Sequence, residues 1–255
     1  MPRFIHPNWP APSNVKALST TRLGGYSCGS FQGLNLALHV QDDSQLVWQN
    51  RQLLTATAEL PQQPFWLEQT HSTDVIALLG LAHEENAVPV ADAAVSGMAE
   101  QVCIVMTADC LPLLVCDKAG TQVAAIHAGW RGLLDGIIEN TLNQLDAANS
   151  ELLVWLGPAI SQSAFQVGDE VRALFIAQQP QADVAFIPDG DKWRADLYLL
   201  ARQRLQVLGV SSGDIYGGEY CTYQQAELFY SYRRDNQTGR QASLIYLESR
   251  EINPK

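Results

Sequence analysis

The chain has few basic residues. Its 255 residues include 16 lysines and arginines against 27 aspartates and glutamates, which gives a formal net charge of −11. Such a charge repels nucleic acids and anionic membranes, so we expect neither as the main partner. A substrate that carries phosphate would need basic residues clustered locally, because the field of the whole protein opposes its binding.

The sequence also lacks a long apolar run and a paired set of cysteines. No stretch approaches the roughly 18 apolar residues of a membrane span, and residues 1–7 lack the apolar core of a signal peptide. The five cysteines are an odd number without paired spacing, which favours reduced thiols. We therefore expect a cytoplasmic protein, and a monomer is among the oligomeric states that the sequence leaves open.

The composition is that of an ordinary globular protein, with 47% hydrophobic and 17% charged residues. Strand-like and helix-like segments interleave along the sequence without internal repeats or low-complexity linkers. The expected fold class is α/β or α+β, built as one domain over residues 1–255. The four prolines in residues 1–14 indicate an extended N-terminal arm that packs over this domain.

Three short apolar segments, each bounded by turn residues, predict buried strands at residues 102–106, 113–116 and 123–126. Asp109 and Cys110 lie between the first two segments, and His127 directly follows the third. Strands are rigid supports, so side chains at their ends can converge. Asp92, which precedes another strand-like segment, is either a catalytic group or a cap for backbone amides.

A thiolate and an imidazole brought together in this way suit zinc better than magnesium or calcium. His71, between the apolar segments 65–67 and 75–78, would add a third ligand. Three protein ligands leave one tetrahedral position open, which is typical of catalytic zinc. The spacing matches no established metal motif, so an alternative stays open in which Cys110 is an inert buried thiol and each histidine a core residue.

Two further segments carry local structural signals. Residues 31–40 alternate leucine with polar or small residues, which predicts a half-buried strand. Residues 42–44 offer N-caps to a predicted helix. The expected apolar face of this helix consists of Leu46, Leu53, Leu54 and Ala58. A second amphipathic helix is predicted to begin near Trp130 and to continue to about Leu145.

Several arginines are candidate substrate contacts. Arg51, on the first predicted helix, is either a solvated charge or an anion clamp. Arg131 lies at the predicted N-terminus of the helix after His127, where the helix dipole favours an anion. Arg233 and Arg234 stand among tyrosines and either bind a phosphate or purine or form a structural ion-pair network.

Several motifs in the same order resemble the YfiH-like family, which was once labelled laccase-domain or polyphenol oxidase and is also called peptidoglycan editing factor. They are residues 107–112 (TADCLP), 126–132 (IHAGWRG), 156–160 (LGPAI), 165–171 (FQVGDEV) and 229–240 (FYSYRRDNQTGR). The resemblance extends from about Thr20 to Ile245. It implies a mixed αβ sandwich similar to the catalytic domain of cytotoxic necrotizing factor toxins. It also implies a zinc ion bound by His71, Cys110 and His127.

The resemblance further implies an enzyme that phosphorolyses the purine nucleosides adenosine, inosine, guanosine and methylthioadenosine, with adenosine deamination as a second reaction. The implied partners are therefore purine nucleosides and phosphate. On this interpretation Cys110 and His127 are catalytic, and we assign Asp109 as a hypothetical proton carrier. Asn35 and Arg51 are assigned to hold phosphate or ribose.

Three other functions compete with this one. A copper polyphenol oxidase would need on the order of ten histidines, and the chain has five. A Cys–His hydrolase or amidase acting on peptidoglycan precursors, with Cys110 as nucleophile and His127 as base, needs nearly the same geometry as two metal ligands. A scaffold protein for wall or division partners finds no support in charge runs, heptads or an apolar stripe.

Overall fold

The computed structural model describes residues 1–78 and 88–249. Within these residues the strands are β1 Phe4–Ile5, β2 Val15–Thr20, β3 Val75–Ala77, β4 Ala93–Ser96, β5 Cys103–Thr107, β6 Leu111–Asp117, β7 Val123–Ala128, β8 Leu152–Leu156, β9 Gln166–Val167, β10 Phe186–Asp189, β11 Lys192–Ala195, β12 Ile215–Gly217 and β13 Gln241–Leu247. The helices are α1 Ser44–Thr57, α2 Trp130–Asp135, α3 Ile137–Leu142, α4 Asp169–Gln178, α5 Leu197–Val207 and α6 Tyr232–Asp235. None of these helices combines the length and the hydrophobicity needed to cross a membrane.

The strands form two larger sheets and one small sheet. The first sheet has the order β1-β2-β13-β5, and all of its pairs are antiparallel. The second has the order β12-β8-β6-β7-β4-β3, with parallel pairs only at its two edges. The third, β10-β11-β9, is antiparallel.

Apolar side chains fill the space between and outside the two larger sheets. Between them, Val105 and Ile245 of the first sheet belong to one cluster with Leu114 and Trp155 of the second. Helix α1 covers the outer face of the first sheet through Leu54, and helices α2 to α5 cover the outer face of the second. The expected mixed α/β sandwich is confirmed as four layers of helix, sheet, sheet and helices.

The three apolar segments predicted as strands are β5, β6 and β7. Every residue of β6 and β7 is buried, because both faces of the second sheet are covered. Such strands have nearly continuous apolar sequences rather than alternating ones, which explains why the segments were recognisable. The pairing of β6 with β7 sets Pro112 opposite His127. It thereby brings the turn that carries Cys110 close to the histidine.

Residues 31–40 do not form the predicted strand, so that expectation is wrong. Gly33 has a φ of +109°, a left-handed conformation that interrupts an extended run. Leu34 and Leu36 are fully buried, and their alternation reflects packing in the cluster between α1 and the first sheet. Leu38 begins a short 3-10 helix and is exposed.

Helix α1 begins as predicted, because the Asp43 side chain accepts a hydrogen bond from the Gln45 N–H. Its predicted face is right in part: Leu54 is buried, and Leu53 and Ala58 pack against the same cluster. The buried face also includes Val47, Asn50 and Arg51, which were not predicted to belong to it. The polar members of this face find buried backbone carbonyls as acceptors, which lets a mixed face turn inward.

The helix predicted after His127 is divided into α2 and α3. Gly136 lies between them with a φ of +102°, where a residue with a side chain would be strained. Apolar residues of both helices pack on the second sheet. The helical spacing is thus correct, but the prediction of one continuous helix is wrong.

Tyr198 in α5 ties together two loops that also contact Asp109. Its hydroxyl accepts a hydrogen bond from the Ala159 N–H at 2.8 Å and lies 3.0 Å and 2.9 Å from the carbonyl oxygens of Gly157 and Tyr220. Burial raises the pKa of Tyr198, so the hydroxyl keeps its proton and can donate it to either carbonyl. These contacts of the hydroxyl hold the two loops in position.

Replacing Tyr198 with phenylalanine should lower the free energy of unfolding by about 1–3 kcal/mol, the usual cost of an unsatisfied buried polar group. The reason is that the Ala159 N–H would lose its partner. Urea denaturation followed by circular dichroism measures the change. The matched control is Tyr223→Phe at an exposed tyrosine, with an expected change below about 0.5 kcal/mol. Equal unfolding midpoints for the two variants would contradict the role assigned to Tyr198.

Candidate metal centre

Three side chains from separate parts of the chain meet at one end of the second sheet. His71 lies in the loop before β3, Cys110 in the turn between β5 and β6, and His127 within β7. Their ligand atoms all lie within 4.8 Å of one another. Cys110 Sγ is 3.7 Å from His71 Nε2, and the two imidazole centroids are 4.8 Å apart. The three side chains could therefore hold a metal ion.

Asp92, immediately before β4, holds two of these three residues. It is fully buried, and its carboxylate accepts hydrogen bonds from the backbone N–H groups of Thr70, His71 and Ser72 and from the Ser72 hydroxyl. His127 Nδ1 lies 2.7 Å from the same carboxylate. Because a carboxylate only accepts, Nδ1 carries the proton and Nε2 is left for the cluster. Asp92 thus acts as the backbone cap that was one of its two predicted roles.

Asp92, Cys110 and His127 shift one another's pKa values in the direction that favours their charged forms. Burial by itself would raise the pKa of Asp92, but hydrogen bonds from His127 and Ser72 outweigh it and lower this pKa to about 2. Burial would likewise raise the pKa of Cys110, but the positive charge of His127 and hydrogen bonds from His127 and His71 lower it to about 6. Burial would lower the pKa of His127, but the charges of Cys110 and Asp92 raise it to about 9. Cys110 is therefore a thiolate near neutral pH, which is the form that binds metals.

One pair of donor atoms has the spacing of two ligands of one zinc ion. Zinc–sulfur and zinc–nitrogen distances at a tetrahedral angle separate sulfur and nitrogen by about 3.6 Å. The observed separation of Cys110 Sγ and His71 Nε2 is 3.7 Å. These two donors therefore stand close to the separation that a shared ion requires, and the ligand atoms of the whole set lie within 4.8 Å of one another.

Gly129, between β7 and α2, provides the space for the cluster. A Cβ atom at this position would lie 2.7 Å from His71 Cδ2 and 3.2 Å from Cys110 Sγ. The backbone there has φ −66° and ψ 162°, which any residue can adopt. Glycine is therefore required by the neighbouring ligands and not by the backbone conformation. Gly129 lies in the motif of residues 126–132, but no local pattern gives it a role.

Asp109 stands next to Cys110 in an unusual conformation, with a φ of +93°. Its carboxylate accepts hydrogen bonds at 2.7 Å from the Thr222 hydroxyl and from the Arg233 N–H. Its carbonyl oxygen accepts a further one from the Ile160 N–H. These contacts hold the strained turn in place and so fix the direction of the Cys110 side chain.

Arg131 and Arg233 are both exposed. The guanidinium of Arg131 lies 4.3 Å from the ring centroid of Trp130. Arg233 donates from Nη1 to the Gln166 carbonyl oxygen at 2.9 Å, and its backbone N–H bonds to Asp109. Their role as substrate contacts stays a prediction, and the contact with Asp109 places Arg233 close to the turn of Cys110.

Asn35 and Arg51 lie deeper than the sequence suggested. Asn35 is fully buried, and its amide bonds to the Asp42 carboxylate and to the Arg240 N–H. Arg51 is also buried, with its guanidinium 3.7 Å from the ring centroid of Trp66 and its Nε bonded to a backbone carbonyl. The solvated charge does not describe this arginine, because its side chain is buried against Trp66. A direct contact of either residue with a substrate stays a prediction.

Comparisons with known proteins cover nearly the whole chain. A family model described as multi-copper polyphenol oxidoreductase laccase matches residues 16–248. The chain is 50% identical over 247 residues to purine nucleoside phosphorylase YfiH of Escherichia coli (strain K12), covering 97% of this chain and 100% of that relative. It is 47% identical over 250 residues to a purine nucleoside phosphorylase of Pseudomonas aeruginosa, covering 97% and 100%.

Two solved structures share the fold. A Neisseria meningitidis protein superimposes with a TM-score of 0.90 at 47% identity, covering 96% of this chain and 99% of its own. YlmD from Geobacillus stearothermophilus superimposes with a TM-score of 0.88 at 29% identity, covering 96% of each chain. From the extent of these matches, together with the family model, this chain belongs to the YfiH-like family, whose model carries the laccase description.

Proposed function

We propose that this protein is a zinc-dependent purine nucleoside phosphorylase. The observation that carries the proposal is the cluster of His71, Cys110 and His127, oriented by Asp92. Relatives that are 47–50% identical over their full length are named purine nucleoside phosphorylases, which supports the same class of reaction here. The proposed substrates are inorganic phosphate and adenosine, inosine, guanosine or methylthioadenosine, with the whole chain acting as one catalytic domain.

The donor set supports zinc as the ion. One thiolate and two imidazoles suit zinc, whereas magnesium and calcium prefer oxygen ligands. The five histidines of the chain are too few for a multicopper oxidase, despite the family description. Bound at this cluster, zinc would supply a Lewis acid that polarises an oxygen atom of a substrate.

The residues around the cluster have separate proposed tasks. Phosphorolysis breaks the bond between ribose and base and joins the ribose to a phosphate oxygen, so the departing base must gain a proton. We assign Asp109 as the carrier of that proton, because its carboxylate directly precedes Cys110 and is largely shielded from solvent. Arg131 and Arg233 are proposed contacts for phosphate or ribose.

We also propose adenosine deamination as a second reaction of the same site. Deamination replaces the amino group of the purine ring with a water oxygen and releases ammonia. It requires a polarising ion and a proton carrier, which are the two elements already assigned to this site. Ammonia release from adenosine without phosphate distinguishes it from phosphorolysis.

A second candidate function is a Cys–His hydrolase or amidase that acts on peptidoglycan precursors. The observation that favours it is the proximity of three groups. A ring nitrogen of His127 lies within 4.8 Å of Cys110 Sγ, Nδ1 of His127 lies 2.7 Å from the Asp92 carboxylate, and the pKa of Cys110 is lowered to about 6. Such a triad can activate a thiolate as a nucleophile. His71 argues for the metal instead, because a triad does not need a second imidazole next to the sulfur.

The phosphorylase proposal predicts that purified protein releases hypoxanthine from inosine only when inorganic phosphate is present. Cys110→Ala removes the sulfur ligand, so hypoxanthine release should cease and bound zinc should fall from about one ion per chain. Chromatography of the products and elemental analysis measure both. Cys28→Ala, at an exposed thiol, is the control and should retain both. Release that is equally fast without phosphate would replace phosphorolysis with hydrolysis, and an active Cys110→Ala would remove the cluster from the reaction.

Gly129→Ala should weaken zinc binding by at least about tenfold, the scale seen when the support of a metal ligand is disturbed. The new methyl group would press on His71 and Cys110. Competition with a chromophoric chelator measures the affinity. Gly97→Ala is the matched control, because a Cβ there meets its nearest atom at an ordinary 3.5 Å. Equal zinc affinity in the two variants would show that Gly129 does not shape the site.

Asp109→Asn should lower kcat by at least about 100-fold if the carboxylate handles a proton. The amide keeps the size of the side chain, so zinc content should stay at the level of the unmodified protein. Steady-state kinetics and zinc analysis separate the two effects, with Asp135→Asn at an exposed position of α2 as control. Turnover close to normal would remove Asp109 from the mechanism, and loss of zinc would assign it to positioning.

A further inference from the structure

Arg240 is a basic residue beside the metal cluster that the assignments above do not use. It directly precedes β13, and Gln241 pairs with Thr107 at the end of β5. This register places Arg240 beside the turn that carries Asp109 and Cys110. The backbone of Arg240 is fixed on its other side, where its N–H donates to Asn35 Oδ1 at 2.9 Å.

The guanidinium of Arg240 is held at one nitrogen and free at its other edge. Nη1 donates to the carbonyl oxygens of Thr238 and Gly239 at 2.9 Å and 3.0 Å. The Tyr232 ring lies 5.9 Å from the guanidinium carbon. Within residues 1–78 and 88–249, neither Nε nor Nη2 makes a hydrogen bond, and no carboxylate forms a salt bridge with this arginine. Two parallel N–H donors are thus available, and the side chain is only partly exposed.

Arg240 interacts electrostatically with the cluster and with His39. Burial lowers the pKa of Arg240, while the negative charges of Cys110 and Asp109 act in the opposite direction. Burial also lowers the pKa of His39, and the charge of Arg240 contributes to this shift, whereas Glu68 opposes it. These mutual effects mean that Arg240 lies within electrostatic range of both the thiolate and His39.

Arg234, in the same motif of residues 229–240, already has its guanidinium bonded within the protein. The guanidinium of Arg234 donates to the Asp235 carboxylate and to the carbonyl oxygens of Thr222, Tyr223 and Phe229. Of the two predicted roles of the Arg233–Arg234 pair, Arg234 therefore takes the structural one. Arg240 differs because its free edge has no acceptor among the residues that the structure describes.

We propose that Arg240 binds the inorganic phosphate of the reaction, with its Nε–H and Nη2–H groups donating to two phosphate oxygens. This inference rests on the proposed phosphorolysis and names the residue that holds its second substrate. The paired N–H groups of arginine match the spacing of two phosphate oxygens. In a chain with a net charge of −11, a local cation is what allows an anion to approach the cluster.

The test compares Arg240→Gln and Arg240→Lys with the unmodified zinc-loaded protein. Arg240→Gln should raise the KM for phosphate by at least about tenfold, the scale of a lost charge-assisted hydrogen bond, and the KM for inosine should change less than about twofold. Arg240→Lys keeps the charge but not the paired donors, so its KM for phosphate should lie between those of the unmodified protein and of Arg240→Gln. Arg194→Gln, which removes an exposed arginine paired with Asp189, is the control and should leave both KM values unchanged.

Calorimetric titration of inorganic phosphate into the same proteins, without nucleoside, keeps this inference separable from the proposed reaction. If the unmodified protein shows no phosphorolysis, phosphate binding that is lost in Arg240→Gln still supports the inference, while the proposed function falls. If phosphorolysis occurs and Arg240→Gln keeps both its KM and its dissociation constant for phosphate, the inference is overturned. Zinc content and urea midpoints are measured in parallel. Should Arg240→Gln not fold, Arg240→Lys decides, and unchanged phosphate affinity there also overturns the inference.

Discussion

The buried carboxylate of Asp92 is the interaction on which the site depends. A charge without solvent is costly unless hydrogen bonds satisfy it, and Asp92 obtains them from Thr70, His71, Ser72 and His127. The same bonds impose a left-handed conformation on His71, whose φ is +62°. One side chain thus offsets its own burial, holds a strained loop and selects the tautomer of an imidazole. Two of the three cluster residues take their positions from it.

The electrostatics of the cluster explain why a metalloenzyme and a thiol hydrolase are difficult to tell apart from residues alone. Both need a thiolate stabilised by an imidazole that a carboxylate orients. Cys110, His127 and Asp92 supply this arrangement. The distinguishing element is His71, which presents a second nitrogen 3.7 Å from the sulfur. This donor, which a nucleophile would not use, is what would allow the three side chains to hold a metal ion.

The sequence predicted those parts of the protein that depend on local pattern. β5, β6 and β7 were visible because strands buried on both faces are continuously apolar, and Cys110 and His127 follow from their ends. The polar part of the α1 face and the path of residues 31–40 were not predicted, because distant acceptors and Gly33 decide them. Gly129 and Arg240 lie within the motifs of residues 126–132 and 229–240, but the motifs give neither a role, since the atoms around them are brought near only in the folded chain.

The order of strands in the first sheet has a consequence for synthesis on the ribosome. β13 lies between β2 and β5, and it is the strand through which these two are joined. Until residues 241–247 have left the exit tunnel, β2 and β5 each present an unpaired edge to the cell, and unpaired edges invite association with other chains. The first sheet therefore closes only after β13 has been synthesised.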